Sequence, residues 1–104
     1  MTITYLAGPM TGLPEFNYPQ FHEVANELRA RRLTVVNPAE NDTGAFDVAF
    51  GKPWEYYMRL ALRGLTVCDE VCLLPGWQDS RGARLERLVA EALGMRVWRW
   101  EAAA

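Results

Sequence analysis

The sequence has little of what marks a nucleic-acid binder, a disulfide-stapled domain or a membrane protein. Its 11 basic and 13 acidic residues leave a formal net charge of −2, and the isoelectric point is near 5.4. That balance gives no basic footprint for a nucleic-acid polymer. Free nucleotides are not excluded, because a local site can be basic while the whole is not. One histidine, His22, and two cysteines, Cys68 and Cys72, are too few and too scattered for a zinc site. If their segment is a strand, the cysteines share a face and are too far apart for an easy disulfide. They read as small buried apolar residues of a reducing compartment. No apolar run approaches membrane length, and the first residues lack the basic start and apolar core of a leader. The expectation is a soluble, cytosolic protein with no metal, no membrane and no nucleic-acid partner.

What is present is a core. Half of the 104 residues are hydrophobic and 12% are aromatic, enough for one domain over 1–104 without staples. Four short β-rich runs stand out: 2–7, 33–37, 69–74 and 95–100. Between them, three segments carry helical period. Phe21, Val24, Ala25 and Leu28 mark the first, behind Tyr18-Pro19, where proline suits the first turn. Trp54, Tyr57, Met58, Ala61, Leu62 and Leu65 mark the second, opened by Pro53. Leu85, Leu88, Val89, Ala92 and Leu93 mark the third, with Gly94 as its stop. The alternation β-α-β-loop-α-β-α-β implies an α/β fold on a parallel sheet with right-handed crossovers. The one long loop, 38–52, contains the aperiodic stretch ENDTGAFD, and loops of that length are often functional.

In an open parallel sheet, ligands bind beyond the carboxyl ends of the strands. That rule gathers Gly8, Pro9 and Met10 after strand one, Asn37-Pro38 after strand two, and Pro75 to Ser80 after strand three. Gly8 either lets a ligand approach the backbone or simply permits a tight strand exit. Neither a P-loop nor a G-x-G-x-x-G opens any helix, and His22 reads as a solvent-facing helical residue. The most informative stretch is DSRGARLE, Asp79 to Glu86. Ser80 can cap the third helix, whose free N–H groups could hold an anion. Side chains on a helix lean toward its N-terminus, so Glu86 leans over Gly82, where the missing side chain leaves space. Glu86 thus falls at the border of the buried stripe, either as a ligand-facing carboxylate or as an ordinary boundary residue. Arg84 is a weaker candidate for phosphate, while Arg87 and Glu91 read as a solvated face.

YLAGPM (Tyr5 to Met10) together with SRGARLE…AEALGM (Ser80 to Met95) resembles the nucleoside 2-deoxyribosyltransferase superfamily, closest to its short bacterial and phage members. The resemblance spans strand one to strand four. It implies a flavodoxin/Rossmann-like three-layer sandwich with a mostly parallel four- to five-stranded sheet. It also implies cleavage of the N-glycosidic bond of a nucleoside or nucleoside 5′-monophosphate, by hydrolysis or transfer and without a cofactor. Glu86 falls at the place of the nucleophile and Tyr5 at that of the tyrosine that orients it, roles consistent with carboxylate glycosidase chemistry. Gly8, Pro9 and Met10 would line sugar and base, and a homodimer or larger homo-oligomer is implied. Two positions depart from the pattern. Ser80 stands where transferases carry an acid, which looks more like the branch that hydrolyses 5′-monophosphates. Ala61 stands where relatives have an acid near the base, leaving Asp79, or a residue of the long loop, to handle the base proton. Alternatives are a non-catalytic nucleotide-binding module, or an interaction protein whose edge strand displays Trp98 and Trp100.

Overall fold

The computed structural model describes residues 1–40 and 53–101. Strands and helices alternate through them: β1 (Ile3–Ala7), α1 (Tyr18–Ala30), β2 (Thr34–Val36), α2 (Trp54–Thr66), β3 (Glu70–Leu73), α3 (Arg81–Ala92) and β4 (Arg96–Arg99). Of the long loop, Pro38–Glu40 form a 3-10 turn, and the remainder, 41–52, lies outside the described residues. The strands form one four-stranded sheet in the order β2-β1-β3-β4. Every pair in it is parallel, with Tyr5 opposite Val71 and Cys72 opposite Trp98. This is the expected flavodoxin-like α/β sandwich. The strand order reverses between β1 and β3, so the crevice that such sheets use for ligands opens there.

Successive strand residues face opposite layers. Leu6, Val35, Cys72 and Leu74 pack with Phe21, Val24, Ala25 and Leu28 of α1. Burying each of the three larger α1 side chains is worth roughly 2 kcal/mol. Tyr5, Ala7, Val71 and Leu73 pack on the other face with Leu65 of α2 and Ala83 and Ala90 of α3. At the opposite end from the strand tips, the buried Glu70 carboxylate accepts from Thr4 Oγ1 at 2.7 Å, Trp98 Nε1 at 3.2 Å and Arg96 at 3.2 Å. A buried charge needs such partners.

Three expectations are corrected. The buried face of α3 is Ala83, Glu86 and Ala90, while Leu88 and Leu93 are 62% and 58% exposed. Small alanines let α3 approach α2 and the sheet closely, so Glu86 sits within the buried face rather than at its border. The two cysteines do not share a face: Cys68 lies in the turn before β3 and joins the α2/α3 core, whereas Cys72 joins the α1 core. Trp98 and Trp100 do share a face, and both are half-buried against the α1 core. The edge-strand display offered for them is therefore only partial.

Candidate active site

Glu86 and Tyr5 meet beneath a cavity at the carboxyl ends of β1 and β3. The sequence sets this up in two steps. The alternation of β1 turns Tyr5 toward the layer of α2 and α3. Ser80 then caps α3, its Oγ accepting from Ala83 N at 3.1 Å, and Glu86 follows nearly two turns later on the sheet-facing side. Tyr5 and Glu86 are 1% and 6% exposed. Burial pushes the Glu86 carboxyl up to about 7, while the Tyr5 hydroxyl pulls it partly back down. The same burial, with Glu86 beside it, raises the Tyr5 phenol well above its ordinary value. Among the described residues the Tyr5 hydroxyl makes no fully formed hydrogen bond, and Glu86 is the group it acts on. Among the described residues no cation pairs with Glu86. It is a desolvated acid poised near neutrality, the condition that functional carboxylates exploit.

The cavity above them has a volume of about 460 Å³, within the range of small-molecule sites. Aromatic rings are prominent in its walls, among them Phe16, Tyr18, and Trp54, Tyr56 and Tyr57 of the first turn of α2. Gly8, Met10, Ser80, Gly82, Ala61 and Arg63 also line it. A smaller chamber of about 340 Å³ adjoins it over the N-terminus of α3, lined by Pro9, Thr11, Trp54, Asp79, Ser80, Arg81 and Gly82. There the Arg81 guanidinium stacks on the Trp54 ring at 3.7 Å. Among the described residues no group of three or more His, Cys, Asp or Glu side chains is arranged to hold a metal.

The fold therefore brings Glu86, Tyr5, Gly8, Met10, Ser80 and Gly82 to one cavity. Pro9 and Asp79 belong to the smaller chamber, and Asp79 is exposed there, apart from Glu86. Asn37 lines neither. It is buried and committed to the fold: its Oδ1 accepts from Ala39 N at 3.0 Å and its Nδ2 lies 3.3 Å from His22 Nδ1. His22 itself is exposed, as expected. Arg84 is exposed and lines neither chamber; the guanidinium at the helix start is that of Arg81.

The two glycines serve packing. A Cβ on Gly8 would stand 2.8 Å from Leu74 Cβ, so Gly8 is required by the close approach of the segment after β1 to the end of β3. A Cβ on Gly82 would stand 3.1 Å from Met58 Sδ. The volume cleared beside Glu86 is thus shared with α2 rather than left wholly open. The aromatic lining escaped the sequence reading because Trp54 and Tyr57 fit a helical core stripe. The available signal was density: WEYYM puts three aromatic residues in one helical turn.

No curated protein matches this chain. The family model described as a domain of unknown function (DUF4406) matches residues 2–99, and the chain belongs to that family.

Proposed function

We propose that the protein cleaves the N-glycosidic bond of a nucleoside or nucleoside 5′-monophosphate. The observation that carries this reading is the buried Glu86–Tyr5 pair under an aromatic cavity. Aromatic walls suit a flat base, and a carboxylate suits attack on an anomeric carbon whose transition state is cationic. In this mechanism an ionised Glu86 oxygen attacks C1′, the bond from C1′ to the base nitrogen breaks, and its electron pair leaves with the base, which takes up a proton. Water, or a second base, then attacks C1′ of the glycosyl ester and frees the Glu86 carboxylate. Tyr5 orients that carboxylate and favours its charged form. The smaller chamber, with Arg81, the Ser80-capped helix start and Thr11, suits a 5′-phosphate. Asp79 at its rim is the candidate for the proton of the leaving base.

The alternative is a binding module that keeps the pocket without turnover. Ala61 in the cavity wall favours it, since the side chain at that place brings no acid. Chromatography of mixtures with deoxy- and ribonucleosides and their 5′-monophosphates decides between the two. Free base released by wild type and not by Glu86→Gln establishes the enzyme; thermal stabilisation by a nucleotide without release establishes the module. The exposed Leu88 and Leu93 on α3 favour a homo-oligomer, which light scattering checks.

A further inference from the structure

Glu15, Phe16 and Asn17 are three consecutive non-glycine residues in the left-handed region, with φ of +53°, +54° and +60°. Left-handed backbone is normally visited by glycine, or singly by Asn and Asp. Asn17 tolerates it. Glu15 and Phe16 carry a Cβ that makes it costly, and for a bulky aromatic it is a genuine outlier. Burial does not compensate, because the 3-10 turn Pro14–Asn17 contains no buried residue.

The turn is instead held by bonds to the segment following β1. Phe16 N donates to Leu13 O at 3.0 Å, and Leu13 N donates to Met10 O at 3.2 Å. The Asn17 side-chain amide donates to Pro9 O at 3.0 Å and to Gln20 Oε1 at 2.8 Å. What this arrangement achieves is a half-buried Phe16 ring lining the cavity, its centroid 5.9 Å from the Tyr18 ring. Strain that the surroundings over-determine tends to sit at ligand clamps.

Resting on the reading of the cavity as a nucleotide site, we infer that Phe16 contacts the ligand as the wall against which its flat ring lies. Asn17 is a positioning residue that holds Phe16 there through its donor bond to Pro9 O. The strained turn sets this wall before any ligand arrives, which removes an ordering cost from binding.

Calorimetric titration with nucleoside 5′-monophosphates, alongside thermal unfolding, tests the inference. Phe16→Ala and Phe16→Gly lose affinity roughly tenfold or more, the scale of one base–aromatic stack, and Phe16→Tyr restores it. Phe16→Gly melts above Phe16→Ala, reversing the order found in regular secondary structure, because only glycine is at ease at φ +54°. Asn17→Asp keeps left-handed tolerance and loses the donor. It weakens binding in the wild-type background and adds nothing in the Phe16→Ala background, the non-additivity of a residue acting through its neighbour. Unchanged affinity in Phe16→Ala, or an additive double variant, overturns the inference while leaving the nucleotide reading intact. A wild type that binds no nucleotide overturns the functional reading and the ligand contact of Phe16 with it.

Discussion

Consider Glu86→Gln as a perturbation of stability rather than of activity. In the folded chain the Glu86 carboxyl is raised from an ordinary value of 4.5 to about 7 by burial. Between those two pH values the folded state keeps a proton that the unfolded state has released, so stability falls as pH rises through that window. Below about pH 4.5 both states hold the proton and the full stability is present; above about pH 7 the loss is complete and flat. A rise of that size corresponds to roughly 3 kcal/mol, and at 6% exposure solvent screens little of it. Glutamine has the shape of the neutral acid and does not ionise. The variant should therefore match wild type near pH 4 and exceed it by roughly 3 kcal/mol at pH 8, a difference of roughly 10–20 °C in Tm for a domain of this size. Other carboxylates titrate in both proteins and cancel in the difference. Thermal unfolding of the pair from pH 4 to 8 is the assay. Two parallel curves with a constant offset, or a wild type that is the more stable at pH 8, would refute the reasoning.

Other substitutions separate site from scaffold. Tyr5→Phe removes the hydroxyl that lowers the Glu86 pKa, so under the proposed glycosidase chemistry the rise of kcat/KM with pH moves to higher pH. Tm should hardly change near pH 4, where Glu86 is protonated in both states, and should fall at pH 8, where the further rise of the Glu86 carboxyl adds to the cost of ionising it. Gly8→Ala places a carbon 2.8 Å from Leu74 Cβ and should lower stability by about 1–3 kcal/mol in denaturant titration. Asn37→Ala removes the bond to Ala39 N and should cost about 1–2 kcal/mol of stability, with KM for any substrate unchanged.

The alternation of strands and helices was legible because each element carries its own period and punctuation. Phe21, Val24, Ala25 and Leu28 are all buried as spaced, and Ser80 caps as its position before α3 implies. The third helix misled because a stripe of leucines is only one way to bury a face. Here the alanines let two helices and a sheet converge, and the leucines Leu88 and Leu93 point outward. Gly8 and Gly82 read from the sequence as a ligand approach or strand exit and as open space, because the neighbours that use their missing side chains, Leu74 and Met58, come from segments remote in sequence. Asn37 was grouped with the site by its place after a strand, whereas its side chain is consumed by a local turn. Nothing in PEFN announces a left-handed turn without glycine, since that conformation is imposed by bonds to Pro9 and Met10 rather than by local preference.

The stacking of Arg81 on Trp54 also gives the molecule an optical property. Of the four tryptophans in the chain, Trp54 lines both chambers. Trp77 is buried in the α2/α3 core and Trp98 and Trp100 lie against the α1 core; none of these three lines either chamber. Indole emission responds to the charge and water around the ring. A molecule entering either space displaces water from Trp54 and perturbs the guanidinium 3.7 Å above it, leaving three indoles as an internal constant. Occupancy is thus written into the intrinsic fluorescence of the unlabelled protein, and a Trp54→Phe variant supplies its blank.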